Sequence, residues 1–345
     1  MYLINCFNSY HCTPLFFPHW FNYIKNNYFD TFTILEKGRV IKSTGNWYHV
    51  LLNDNKILLC RLPGSFRIKG IKTTNPIAVG DDVFIKREEN KEGGVIIELI
   101  QRRNYMIRQA TNLSKRWHII ASNIDIGVLV VSLRNPKVMS SFIDRYLITA
   151  EAYSIPTVIV FNKIDIYQNE DLELMQEYIN GYTAAGYSCL QTSVSKNIGL
   201  DNIETLINGK TSLFSGYSGV GKSSLISALH PNTKIKIGET SVHEKGKHTT
   251  TFAEMHVCKN GTYIIDTPGV KSFGIVDFKR EEVAGYYPEF FALSKNCKFN
   301  NCTHLNEPGC AVLKSLEQGS ISEYRYENYV NIYEGDGYRN HWEDK

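Results

Sequence analysis

Gly216-Tyr217-Ser218-Gly219-Val220-Gly221-Lys222-Ser223, read with the apolar run Ser212-Leu213-Phe214 before it and the helical stretch Lys222 to Leu229 after it, decides the fold. The pattern is G-x-x-x-x-G-K-S between a strand and a helix, and Pro231 stops that helix. Its glycines let the backbone wrap an anion so that successive N–H groups point inward, and the helix N-terminus adds positive potential. Such a loop belongs on a parallel sheet, and the sequence upstream provides one. Ile126 to Val131 and Thr157 to Phe161 are continuous apolar runs of buried-strand length. Between them Phe142 to Tyr153 places Ile143, Tyr146, Leu147 and Ala150 on one helical face. Leu172 to Tyr182 reads as a further helix and Ser188 to Ser193 as a further strand, so a doubly wound α/β unit is expected.

The anion the loop suits is a nucleotide's phosphate chain. Gly216, Tyr217, Ser218, Gly219, Val220, Gly221, Lys222, Ser223 and Ser224 are expected to line it, with Lys222 neutralising the β and γ oxygens and Ser223 offering an oxygen to magnesium. Tyr263-Ile264-Ile265-Asp266-Thr267-Pro268-Gly269 supplies the second part: a strand ending in an Asp that can hold the magnesium shell, then a Gly whose N–H can meet the γ-phosphate. Asn162-Lys163-Ile164-Asp165 after the strand Thr157 to Phe161 selects the base. A carboxylate at Asp165 accepts both N1–H and the N2 amino group of guanine, a donor pair that adenine lacks. Asn162 then orients the loop, the Lys163 stem covers the ring, and Thr192-Ser193-Val194 offers backbone support to the guanine O6. These motifs run Asn-Lys-x-Asp, phosphate loop, Asp-Thr-Pro-Gly, whereas ordinary GTPases place the phosphate loop first and the guanine motif late, so the order reads as a circular permutation with residues 198–212 as the new bridge. An open α/β sheet gathers its ligand groups outside the carboxyl ends of its strands whatever the chain order, so the rotation is physically permitted.

Between phosphate loop and Asp266 lies Lys247-His248-Thr249-Thr250-Thr251, where one of Thr249 or Thr250 is expected to reach the magnesium. Val270 stands after Gly269, where many GTPases carry a water-orienting glutamine, so His248 is the candidate for positioning the attacking water.

Upstream, short strand-like runs at Arg39 to Ile41, Trp47 to Leu52, Lys56 to Cys60, Asp82 to Ile85 and Gly94 to Glu98 are broken by turn residues, which suggests a small oligonucleotide-binding (OB) barrel. Residues 31–120 hold 16 Lys and Arg against 8 Asp and Glu, although the whole chain of 345 residues carries only +3, so the front half is the polyanion-facing one. Downstream, Cys297, Cys302, His304 and Cys310 place three thiolates and an imidazole within one short polar tract, a complete tetrahedral set for one structural zinc ion. Cys60, Cys189 and Cys258 read instead as small core residues. The expected partition is an unassigned extension at 1–30, the barrel at 31–105, the α/β unit at 106–277, and a helical metal-stapled unit with a polar tail at 278–345. At 43% hydrophobic and 21% charged, the composition excludes a mainly disordered chain, and its length excludes a lone small module. The longest apolar runs fall far short of a membrane span, and the uncharged first 24 residues lack the basic start of a secretory signal, so a cytoplasmic location is expected.

The rotated motif order, the preceding barrel and the Cys-x4-Cys-x-His-x5-Cys tract together resemble the RsgA (YjeQ) family of small ribosomal subunit biogenesis GTPases. The resemblance spans roughly residues 34–333 and includes Met106-Ile107-Arg108 and Asp144-Arg145-Tyr146-Leu147. It implies a cytoplasmic, monomeric GTP hydrolase that docks on the small (30S) ribosomal subunit late in maturation and is stimulated by it. The barrel and zinc unit would touch 16S rRNA, and His248 would act in hydrolysis. The basic N-terminal extension of some members is absent here, residues 1–30 being aromatic and Asn-rich instead. Two other readings stay open: another phosphate-loop NTPase, which Asp165 argues against, and an RNA-binding protein with a vestigial nucleotide pocket.

Overall fold

The computed structural model describes residues 35–63, 76–88, 93–109, 117–230, 253–267 and 279–335. Its first five strands are β1 (Glu36–Ser43), β2 (Trp47–Leu52), β3 (Ile57–Arg61), β4 (Asp82–Arg87) and β5 (Gly94–Leu99). They pair in the order β1-β2-β3-β5-β4 and close through β1–β4, with β3–β5 parallel and the rest antiparallel, which makes a closed barrel of the OB type. Alternation along the strands sends Val40, Val50, Cys60, Val83, Ile85 and Ile96 inward, and these form the barrel core.

A two-stranded sheet of β6 (Tyr105–Gln109) and β7 (Trp117–Ser122) follows, which the sequence reading did not separate from its surroundings. Asp81 fixes the barrel to this sheet: its carboxylate receives two bonds from the Arg102 guanidinium, at 2.7 and 2.6 Å, and one from Ser122 Oγ at 2.6 Å. An aspartate this deeply buried is tolerated because each oxygen is hydrogen-bonded and the guanidinium balances the charge.

The α/β unit contains β8 (Ile126–Val131), α1 (Ser140–Ala152), β9 (Thr157–Asn162), α2 (Asn169–Ala184), β10 (Ser188–Thr192), α3 (Leu200–Ile207), β11 (Thr211–Gly216), α4 (Lys222–Leu229), β12 (Glu254–Val257) and β13 (Tyr263–Asp266). The sheet order is β10-β9-β8-β11-β13-β12, parallel except for β12. The phosphate-loop strand β11 therefore lies in the interior, where β8 and β11 are buried along their whole lengths. The stretch expected to be the new bridge carries α3, an eight-residue helix that buries Ile203 and Ile207. Edge strand β12 meets the barrel through the bridge Lys42↔Glu254 and a 3.0 Å ion pair between the same side chains.

The C-terminal module comprises a 3-10 stretch, Arg280–Tyr286, then α5 (Pro288–Ser294), α6 (Ala311–Glu317) and α7 (Glu323–Glu334). Val283, Tyr287, Phe290, Val312, Ile321, Tyr329 and Ile332 build its core, and Ile148 of α1 joins them. The seam also holds a charge cluster. Arg325, 1% exposed, donates to Asp144 of α1, 0% exposed, and forms a fork with Glu289 at 2.9 and 3.0 Å. Asn328 Nδ2 donates to the second Asp144 oxygen at 2.6 Å, and the guanidinium lies over the Tyr287 ring, 4.5 Å from its centroid. Among the described residues no helix is long and apolar enough to cross a membrane.

Candidate functional site

The parallel register brings five strand ends to one rim of the sheet: Val131 lies beside Phe161, Asn162 beside Thr192, Val130 beside Gly216 and Phe214 beside Asp266. Segments remote in sequence thus meet where the sheet reading expects them.

At the end of β11 the chain passes so close to β8 that a Cβ at Gly216 would lie 2.4 Å from the Val130 carbonyl oxygen. Gly221 has φ +91° and starts α4, and a Cβ there would lie 2.5 Å from Asn162 Nδ2. Only glycine fits both the left-handed backbone and that contact. Ser218, Gly219 and Ser224 are exposed, Tyr217 and Ser223 half-buried, and Val220 buried. Lys222 is only 6% exposed, and its Nζ donates to Asp266 Oδ1 at the end of β13. The cation expected at the phosphates and the carboxylate expected at the magnesium shell are therefore adjacent.

Asn162, 2% exposed, binds the base loop to the phosphate loop. Its Nδ2 donates to the Val220 carbonyl at 2.9 Å, and its Oδ1 accepts from Thr192 Oγ1 at 3.0 Å. Lys163 adopts a left-handed backbone, and its Nζ donates to the carbonyls of Gly219 and Asn135, both at 2.7 Å. Burial lowers its ammonium pKa, and nearby Asp165 opposes that shift. A single 3-10 turn, Ile164–Ile166, then presents Asp165 to solvent with Ile164 half-buried. Its carboxylate accepts from Ser193 Oγ at 2.5 Å and Ser195 Oγ at 2.7 Å, and these two hydroxyls hold its pKa below the ordinary value. Ser193 is buried and Val194 half-buried.

The sequence reading passed over three contributors. Ser195 is one. Another is Tyr167, whose hydroxyl donates to the Asn162 carbonyl at 3.0 Å and accepts from Leu133 N at 2.8 Å. The third is the loop after β8, where Arg134 bonds Asp171 and Gln168 while Asn135 receives Lys163. Only Ser195, two positions from Ser193, had a local signal. His248, Thr249, Thr250, Gly269 and Val270 lie outside the described residues.

In the C-terminal module the ligand atoms of Cys297, Cys302, His304 and Cys310 all lie within 4.8 Å of one another. His304 Nδ1 is 3.7 Å from Cys297 Sγ and 3.4 Å from Cys310 Sγ. Two backbone amides point at sulfur, Ala311 N at Cys297 Sγ (3.3 Å) and Leu313 N at Cys310 Sγ (3.5 Å), as suits thiolates bound to a cation. Burial lowers the His304 pKa, favouring the neutral imidazole that a metal requires, and pushes the Cys302 thiol up to about 12 without a metal. The three soft donors and one imidazole are a set that could hold a zinc ion. Beside them, burial raises the Glu307 pKa, but bonds from the Thr303 hydroxyl and the Thr303 and Leu305 amides outweigh it and hold the carboxyl at about 2. The remaining cysteines behave as core residues to differing degrees. Cys60 is buried and Cys189 and Cys258 half-buried, and burial raises their thiols to about 12, 11 and 11.

On the barrel, many basic side chains are already neutralised: Arg61 by Glu88, Arg87 by Glu36, Lys56 by Asp54, and Arg39 and Lys37 by Asp82. Arg67, Lys69 and Lys72, which carry much of the local excess, fall outside the described residues. The outer face of β2 and β3 exposes Trp47, Ile57 and Leu59.

The family description "RsgA N-terminal domain" matches residues 37–96, and "RsgA GTPase" matches residues 99–276. A relative from Bacteroides thetaiotaomicron, named small ribosomal subunit biogenesis GTPase RsgA 2, is 50% identical over 300 residues, covering 86% of this chain and 96% of its own. One from Christiangramia forsetii, named small ribosomal subunit biogenesis GTPase RsgA, is 49% identical over 308 residues, covering 88% and 98%. Among solved structures, YjeQ from Thermotoga maritima superposes with a TM-score of 0.72 at 32% identity, covering 89% of this chain and all of that one. YloQ, described as a circularly permuted GTPase, gives 0.65 at 29% identity, covering 87% and 94%.

Proposed function

The chain belongs to the RsgA family of circularly permuted GTPases, and on that premise we propose that it hydrolyses GTP while acting in maturation of the small ribosomal subunit. The observation that supports this best is the joining of Asn162 to Val220 beside an exposed, doubly hydrogen-bonded Asp165. One residue, Asn162, ties the loop that bears the base-selecting carboxylate to the loop that would wrap the phosphates.

In this reading Asp165 accepts from guanine N1–H and N2–H, with Asn162, Lys163 and Ile164 shaping the loop and Ser193 and Val194 backing the base. Residues 216–224 wrap the phosphates. Lys222 exchanges its bond with Asp266 for the β and γ oxygens, leaving Asp266 for the magnesium shell. Ser223 and one of Thr249 or Thr250 would hold magnesium, which supplies charge neutralisation of the phosphates when bound. His248 orients the attacking water, since Val270 has no polar group to do so, and Gly269 N–H meets the γ-phosphate. Cys297, Cys302, His304 and Cys310 hold one structural zinc. The partition at 31–105, 106–277 and 278–345 separates an rRNA-facing barrel, the hydrolytic unit and the zinc unit of a cytoplasmic monomer. Hydrolysis then sets affinity for the 30S subunit and its 16S rRNA.

The test is GTP turnover by wild type, Lys222→Ala and His248→Ala, each alone, with small subunits and with large subunits. Stimulation of wild type by small subunits alone, lost in both variants with GDP binding kept in His248→Ala, is the expected result. Equal affinity for ATP and GTP, or equal stimulation by both subunits, overturns it.

A further inference from the structure

Ser195 lies outside the motifs that carry the guanine reading, yet its hydroxyl reaches the same carboxylate as Ser193. Ser193 Oγ meets Asp165 Oδ1 at 2.5 Å, Ser195 Oγ meets Oδ2 at 2.7 Å, and the two hydroxyl oxygens are 3.0 Å apart. Ser193 Oγ also accepts from Lys196 N at 3.2 Å, which directs its single proton toward Asp165. With Asp165 ionised, Ser195 has the same choice of acceptor and likewise donates to the carboxylate rather than to its neighbour.

A carboxylate offers about four lone-pair sites, two on each oxygen. With one hydroxyl on each oxygen, neither oxygen is saturated, so each can still accept from the guanine edge, which offers N1–H and the N2 amino group. The backbone supports the geometry: Ser193 and Ile198 exchange N–H···O bonds at 3.1 and 2.9 Å, and Asn197 N donates to Val194 O at 3.3 Å, so Ser195 sits on a short closed loop. Asp165 itself is exposed on a single 3-10 turn.

We infer that Ser195 is a positioning residue for guanine selection, a second hydroxyl clamp that fixes the Asp165 carboxylate so that both oxygens face the base edge. The inference rests on the guanine-binding reading above. It is tested by calorimetry of GDP and IDP, which lacks the N2 amino group, on wild type, Ser195→Ala, Ser195→Thr and Asp165→Asn, with thermal melts of each. Ser195→Ala is expected to weaken GDP about tenfold, as for loss of a hydrogen bond to a charged group, and to narrow the preference for GDP over IDP without moving the melt. Ser195→Thr, which keeps the hydroxyl, restores both affinity and preference. Unchanged GDP affinity in Ser195→Ala overturns the inference. Tighter binding also overturns it, because Ser195 would then compete with the base. If Asp165→Asn leaves GDP affinity unaltered, the guanine reading itself has failed, an outcome distinct from failure of Ser195 alone.

Discussion

Replacing Arg325 by Met removes one cation from a cluster holding two carboxylates, while Asp144→Asn removes one of the two anions. The charge count predicts unequal costs. Wild type places Arg325 between Asp144 and Glu289 at the seam between α1 and the C-terminal module, with Asn328 on the far side of Asp144. Arg325→Met strands both carboxyls in a buried site, and breaking a buried pair in this way costs about 3–5 kcal/mol. Asp144→Asn leaves Arg325 balanced by Glu289, so its cost is that of an imperfect hydrogen bond, about 1–2 kcal/mol. Burial pushes the Asp144 and Glu289 carboxyls up, and in wild type Arg325 pulls against that rise. Without the guanidinium both climb further above their unfolded values. The Arg325→Met deficit is then absent below the unfolded carboxyl range and grows as pH rises through the raised folded values. Urea unfolding of wild type, both single variants and the combination Arg325→Met with Asp144→Asn, at pH 5 and pH 7.5, measures this directly. Equal costs for the two single variants, or an Arg325→Met deficit that does not change with pH, would refute the charge argument and leave packing as the cause.

Gly221→Ala forces a Cβ to within 2.5 Å of Asn162 Nδ2 at φ +91°; GDP affinity measured by calorimetry is expected to fall at least tenfold, with about 1–3 kcal/mol of strain lowering the melting temperature. Asn162→Ala leaves the Val220 carbonyl and Thr192 hydroxyl without their buried partner, a loss of about 1–3 kcal/mol in denaturant unfolding, accompanied by weaker binding of GTP and GDP alike. Cys302→Ser, or chelation of wild type, is expected to lower metal content by elemental analysis and to lower the unfolding midpoint of the C-terminal module. Glu307 is held at about 2 against an ordinary 4.5, so its contribution is complete above pH 4.5 and disappears as pH falls through about 2; acid titration of wild type against Glu307→Gln should show two curves that converge over that window.

The sequence was legible wherever one local pattern sufficed. The buried runs of β8 and β9 follow from continuous apolar residues, the phosphate loop from its glycines, and the Cys/His cluster from spacing alone. Helix α3 escaped notice because eight residues carry barely two helical turns and its start is set by Gly199 with a left-handed backbone rather than by a capping side chain. The hairpin of β6 and β7 is interrupted in sequence by residues 110–116, so no tight-turn signal joins its halves. Asp144 and Arg325 stand 181 positions apart, and nothing local to either announces a buried partner. The neutralised barrel surface is also a pairing effect: net charge counts Arg61 and Arg87 as free cations, but Glu88 and Glu36 already face them.

Rotating the order of the segments moves the seam of the chain as well as its motifs. In the arrangement seen here β13 is the last strand among the described residues, and twelve positions, 267–278, separate Asp266 from the Lys279 cap of the C-terminal module. Among the described residues no strand after Asp266 joins the sheet, and the chain leaving that rim runs on into the C-terminal module. The C-terminal module that follows is also held to α1 through space, by Arg325 on Asp144 and by Ile148 in its core, so chain connection and seam join the same two bodies.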